Sequence, residues 1–307
     1  MSDPRPIGVF DSGVGGLTVL REILRRSPSE STIYVGDNAR APYGTRTDDE
    51  VIDFSAQCVD ALVERDVKAV VIACNTSTAV ALRELRRRHD LPILGVIRPG
   101  ASAAALASRN RRVGVIATPA TVRSRAYFWA IKEENPAIEV YEHATPALVP
   151  MVEAGELGGP GVEATVAQSL APLFGERDGV GEFIFPLQPS ARIDTLLLGC
   201  THYPLLRPVI AAIAGERVAI VDSATATASA LAELLSINGL EAPGTTRGTA
   251  ADPGRNGHDQ PDEPAATAAR HIQLTTGDVE IFRGLATRLF GDAFPDVTGI
   301  ELEEGVR

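Results

Sequence analysis

Lysine is almost missing from this 307-residue chain: Lys68 and Lys132 are the only two. Cysteine is nearly as scarce, at three residues, Cys58, Cys74 and Cys200. Three thiols so far apart make no disulfide framework, and a reducing cytosol would keep them as thiols. Zinc has no Cys-x-x-Cys or His-x-x-x-His spacing to bind to. A net positive charge is also missing. The formal charge of -11 and pI near 5.0 leave no basic footprint for nucleic acid or an anionic membrane. No apolar run is long enough to span a bilayer, and the start, MSDPRPIGVFDSG, has no basic stretch followed by a long apolar run. These absences lead us to expect a cytoplasmic protein with neither nucleic-acid nor membrane partners.

A hydrophobic content of 44% can fill a sizeable core, in two domains or one large one. Short β-branched runs alternate with amphipathic stretches, the pattern of a parallel sheet covered by helices. Strands are predicted at Ile7 to Phe10, Thr32 to Val35, Ala69 to Ala73, Ile93 to Ile97, Val113 to Ala117, Ile138 to Tyr141, Thr195 to Leu198, Val218 to Val221 and Ile272 to Thr275. The predicted fold class is α/β. Residues 175–192 mix turn residues with Phe183 to Phe185 and read as a hairpin or a crossing loop. Residues 241–270, rich in Gly, Pro, Thr and Asp, offer almost nothing to bury and are expected to form a flexible insertion.

An internal repeat is visible. Gly8-Val9-Phe10-Asp11-Ser12 parallels Gly114-Val115-Ile116-Ala117-Thr118, and Val70 to Thr76 parallels Leu196 to His202. If the halves are structural copies, each sets one cysteine at the carboxyl end of a buried strand, the edge where open α/β sheets bind ligands. The alternative is that any two α/β units look alike at this level. Cys58 is a contrast: with Val51, Phe54 and Leu62 it falls on one helical face, which reads as packing. Cys74 and Cys200 each precede a predicted helix start, where unpaired amides and the helix dipole favour a thiolate.

Four segments then become specific: Asp11-Ser12-Gly13-Val14-Gly15-Gly16-Leu17, Asp37 to Gly44 (DNARAPYG), Ala73-Cys74-Asn75-Thr76-Ser77-Thr78 and Leu198 to Leu206 (LGCTHYPLL). Together, in this order, they resemble the glutamate racemase family, from the first strand to about Leu235 and again from Ile272 to Phe290. The resemblance implies two quasi-symmetric α/β domains facing each other across a cleft, residues 1–98 plus 211–307 and residues 99–210. It implies interconversion of L- and D-glutamate without a cofactor, supplying D-glutamate for bacterial peptidoglycan, by a homodimer. Cys74 would exchange the α-proton on the D-glutamate face, assisted by Asp11, and Cys200 on the L-glutamate face, assisted by His202. Glu153 matches a further acidic position near the second thiol. Asp11 also reads as a helix N-cap, His202 as a histidine packed beside Tyr203, and Glu153 as a solvated helical side chain. Substrate binding would fall to Asp11, Ser12, Pro42, Tyr43, Gly44, Asn75, Thr76, Thr118, Thr121, Thr201 and His202. Racemisation needs a proton removed from one face of a planar intermediate and another delivered to the opposite face, which suits two groups from two matched halves. A pyridoxal phosphate racemase would need a pocket lysine, and neither Lys68, at a strand start, nor Lys132, in a polar run, is well placed for that role. An aspartate racemase, a non-catalytic amino-acid binding module and a thiol-disulfide oxidoreductase are the competing readings.

Overall fold

The β-branched runs of the sequence form strands because helices cover both faces of the sheets they enter. The structure, a computed structural model, describes residues 2–174, 176–177, 183–184, 193–244, 269–294 and 296–302. Its strands are β1 (Ile7–Asp11), β2 (Thr32–Gly36), β3 (Ala69–Ile72), β4 (Ile93–Gly95), β5 (Arg112–Ala117), β6 (Glu139–Ala144), β7 (Glu176–Arg177), β8 (Phe183–Ile184), β9 (Thr195–Gly199), β10 (Ala219–Asp222), β11 (His271–Thr275) and β12 (Val297–Gly299). Each of the nine predicted strands coincides with one of these, their ends shifted by a few residues. Strands β1, β2, β3 and β9 are buried at every position, so they show no alternation of apolar and polar residues.

Two parallel sheets result. The first has the order β12-β11-β2-β1-β3-β4 and the second β10-β9-β5-β6. Strands β7 and β8 pair antiparallel, the hairpin alternative for residues 175–192; residues 178–182 and 185–192 lie outside the described residues. So do residues 245–268 of the expected insertion.

The internal repeat is structural. Gly8 pairs with Val70 and Phe10 with Ile72, while Gly114 pairs with Leu196 and Ile116 with Leu198. The order β2-β1-β3-β4 recurs as β6-β5-β9-β10. Cys74 and Cys200 each lie two residues past the matched pair members Ile72 and Leu198, and so occupy counterpart positions. The sheet membership departs from the expected boundary at residue 210: β10 lies beyond it and pairs with β9. The cause is the repeat itself, since β10 is the counterpart of β4 and is brought parallel to β9 by the crossover helix Arg207–Ala214.

The helices that follow these two counterpart strands are exchanged. Helix Ile97–Ala107 leaves β4 of the first sheet, yet Ile97, Ala101 and Ala104 pack with Val113, Val115 and Leu197 of the second. Helix Ser223–Asn238 leaves β10 of the second sheet, and its Ala224, Ala228, Leu231 and Leu235 pack with Ile7, Val9, Leu17 and Leu20 of the first half.

Candidate active site

In a parallel sheet the carboxyl ends of all strands share one edge, and the turns that follow them converge there. A cavity with about 590 Å³ of atom-free space, open solvent included, lies at this edge. From the first half it is lined by Ser12, Pro42, Tyr43, Gly44, Cys74, Asn75 and Thr76; from the second, by Thr118, Glu153, Cys200, Thr201 and His202. Asp11 and Thr121 stand behind this lining. Sequence reasoning missed Thr45, Pro119, Pro146, Val149 and Pro150, which also line it. Thr45 and Pro119 adjoin predicted residues, and Val149 and Pro150 precede Glu153 by about one helical turn, so proximity was the available signal; Pro146 offered none.

Cys74 caps the helix Asn75–Val80. Its Sγ accepts the Ser77 backbone N–H at 3.5 Å and lies 3.6 Å from Ser12 Oγ. Burial pushes this thiol up to about 11, helped by the negative charge of Asp11, against the Ser77 amide and Ser12. Cys200 has a different helper. After it comes the 3-10 turn Tyr203–Leu206, whose first amide, that of Tyr203, donates to the Cys200 carbonyl rather than to the sulfur. The Sγ instead lies 3.8 Å from His202 Nδ1, and His202 Nε2 lies 3.3 Å from Glu153 Oε1, ion-pair range without hydrogen-bond alignment. Burial alone would lower the imidazole, but the Cys200 and Glu153 partners, joined by Asp11, outweigh it and hold His202 at about 10. This histidine therefore carries its proton at neutral pH.

Asp11 has no exposed surface. Its Oδ2 accepts from the amides of Gly13 (3.1 Å) and Gly16 (2.9 Å), and its Oδ1 from Thr201 Oγ1 (3.4 Å). Burial raises its pKa, opposed by His202 and by these amides. Asp11 thus ties the turn after β1 to the turn after β9. The threonines form a second tie between the halves: Thr76 Oγ1 lies 2.9 Å from Thr118 Oγ1 and 3.5 Å from Thr121 Oγ1, and the latter two are 3.1 Å apart. Tyr43 donates its hydroxyl to Asp37, which also accepts from Arg40 Nε at 2.7 Å and Thr276 Oγ1 at 2.6 Å. Gly44 lets its turn approach the other half, since a Cβ there would lie 2.7 Å from Thr118 Cβ.

Residues 7–231 match the model of the Asp/Glu/Hydantoin racemase family. Over 95% of its length the chain is 41% identical to the glutamate racemase of Listeria monocytogenes serotype 4a, covering 96% of that protein. With the glutamate racemase of Lactococcus lactis subsp. lactis it is 44% identical across 78% of this chain and 83% of the relative. The chain belongs to the glutamate racemase family.

It is accordingly an amino-acid racemase, an isomerase. Solved glutamate racemases share the two-domain fold: an isoform from Bacillus anthracis superposes with a TM-score of 0.80 at 36% identity, covering 97% of this chain and 98% of that one. The Francisella tularensis enzyme, solved in complex with D-glutamate, also reaches 0.80, at 32% identity and with 99% and 100% coverage. Within this racemase the remaining cysteine packs as expected: Cys58 is fully buried in the cluster that holds Val51 and Leu62. Lys68 is buried against Glu30 and donates to the Asp3 carbonyl, while Lys132 donates to the Pro136 carbonyl, so neither lysine lines the cavity. Among the described residues no helix is long and apolar enough to cross a membrane.

Proposed function

We propose that the protein interconverts L-glutamate and D-glutamate by direct proton transfer between two thiols, with no cofactor. One observation carries this reading: Cys74 and Cys200, counterparts in a repeated sheet, line the same cavity. Cys200 as thiolate removes the α-proton of L-glutamate, leaving a planar carbanion, and Cys74 as thiol protonates the opposite face; the reverse reaction exchanges the roles. The high Cys74 pKa suits a group that waits protonated, and the His202 imidazolium suits a neighbouring thiolate. Glu153 holds His202, and Asp11 assists Cys74 through its charge while holding Thr201. Among the described residues no lysine or arginine lines the cavity, so Ser12, Tyr43, Gly44, Asn75, Thr76, Thr118 and Thr201 hold the carboxylates and ammonium by hydroxyls and amides, with Pro42 shaping the wall and Thr121 fixing Thr118. The Francisella tularensis relative bound to D-glutamate supports glutamate as the substrate. Homodimeric assembly, a cytoplasmic location and supply of D-glutamate to peptidoglycan belong to the same proposal.

The test is turnover of L-glutamate in deuterated water, without added cofactor, followed by circular dichroism and mass spectrometry. Early D-glutamate should carry deuterium at the α-carbon while residual L-glutamate stays largely unlabelled, with the pattern reversed from D-glutamate. Rapid labelling of unreacted substrate would indicate one base serving both faces. Turnover of aspartate in place of glutamate would move the substrate assignment.

A further inference from the structure

Tyr127, a buried residue of helix Ala126–Glu134, takes no part in the proposed chemistry, yet it touches the neighbours of both thiols. Its ring lies in the core of the second half and packs directly on Gly199, the residue before Cys200: a Cβ at Gly199 would lie 2.9 Å from Tyr127 Cε2. Its hydroxyl receives Asn75 Nδ2 at 2.6 Å, and Asn75 is the residue after Cys74. Ser223, the first residue of helix Ser223–Asn238 and also buried, lies beside the same hydroxyl and opposes the upward shift that burial gives it. Gly100 makes room for this junction, since a Cβ there would lie 2.9 Å from Ser223 Cβ and 3.4 Å from the Tyr127 hydroxyl oxygen.

The consequence falls on Asn75, which lines the cavity and is almost wholly buried. A carboxamide offers two donors on nitrogen and an acceptor oxygen, and which end faces a ligand depends on what holds the other. Here the nitrogen is engaged by Tyr127, and Oδ1 has no hydrogen-bond partner among the described residues. A buried acceptor without a partner suits an N–H donor on the ligand, such as the ammonium of an amino acid. We propose that Tyr127 is a positioning residue that carries the fixed geometry of the second half to Asn75, locking the carboxamide with its oxygen free for the substrate ammonium. The proposal rests on the reading of Asn75 as a substrate-binding group.

Tyr127→Phe keeps the ring against Gly199 and removes only the hydroxyl. The carboxamide can then turn its nitrogen toward the ammonium. The KM for both enantiomers should rise by about three- to tenfold, the scale of one hydrogen bond, while kcat changes by less than about twofold because the lost binding is common to ground and transition states. In an Asn75→Ala background Tyr127→Phe should have no further effect on KM. An unchanged KM in Tyr127→Phe, or an increase that persists in the Asn75→Ala background, would overturn the proposal. If Asn75→Ala alone left KM unchanged, the assignment of Asn75 to binding would fall, and this proposal with it. Should Tyr127→Phe not fold, Ser223→Ala loosens the same hydroxyl from its other side. A smaller rise in KM that vanishes in the Asn75→Ala background supports the role, and its absence refutes it.

Discussion

At the scale of single residues, Asp11 shows how one buried charge governs a thiol. Its carboxylate is fully buried, and burial raises its pKa above the ordinary 3.8. A group raised in this way favours the fold fully below its unfolded pKa, and that contribution is lost as pH rises through its folded value. Ionising the Asp11 carboxylate within the fold therefore weighs against stability. Asn in its place keeps a carbonyl oxygen for the Gly13 and Gly16 amides and removes the charge. Asp11→Asn should hold or raise the melting temperature while lowering turnover by about a hundredfold, the lower end of what a positioned acid/base partner contributes. The same charge helps hold Cys74 at about 11, so its removal should lower the Cys74 titration midpoint. Alkylation rate against pH in a Cys200→Ser background reads that midpoint, because Cys58, also a thiol, is held far above its ordinary range by burial and stays silent. A midpoint that stayed put or rose would refute the coupling.

At the scale of elements, the turn after β1 is shaped by what it must approach. A Cβ on Gly15 would lie 2.5 Å from Thr201 Oγ1 and 2.6 Å from His202 Nδ1, so this glycine is needed for contact between the halves. Gly15→Ala should shift both side chains by a fraction of an ångström and lower kcat/KM by about a hundredfold, as small misplacements at reacting groups do. The melting temperature should fall by only a few degrees; steady-state kinetics beside calorimetry checks the pair, and a large stability loss with intact kinetics would count against the positional account. These approaches are illegible in the sequence, where Gly15 is one glycine in Gly13-Val14-Gly15-Gly16 and its neighbour in space is 186 or more residues away. The strands were legible, because full burial on both faces leaves unbroken apolar runs such as Val70-Val71-Ile72 and Leu196-Leu197-Leu198. β12 was not: three residues at the edge of the sheet, Val297–Gly299, carry too little apolar pattern. Cys74 and Cys200 were legible from their places at strand ends. Tyr127 was not, since a tyrosine in Ala126-Tyr127-Phe128-Trp129 reads as packing, and only tertiary structure brings it to Asn75.

At the scale of the whole molecule, the exchanged helices bind the halves into one body. The repeat was visible in the sequence, but the exchange was not, because Ala101 and Leu231 look the same whichever sheet they cover. We propose that the first unit runs to about residue 96 and resumes near residue 223, since the chain leaves the first sheet after β4 and returns with helix Ser223–Asn238. On its return the chain is anchored twice. The Asp3 amide donates to the Glu241 carbonyl, and the Ala242 amide to Glu30 Oε1 at 2.8 Å. At the far side of the expected insertion, Arg270 donates its amide to Ser31 Oγ at 3.1 Å and accepts from the Thr32 amide at 2.9 Å. Glu30 and Ser31 are consecutive, with Cα atoms about 3.8 Å apart, so both ends of the insertion are anchored to one short stretch of chain. A six-residue Gly/Ser linker, which reaches about 20 Å when extended, should therefore replace residues 245–268 without disturbing either anchor. Loop-closure entropy changes only slowly with length, so the melting temperature should stay within about 2 °C and kcat/KM within about twofold. A loss of several degrees, or a tenfold loss of kcat/KM, would mean that the segment packs against the body or contributes to the cavity.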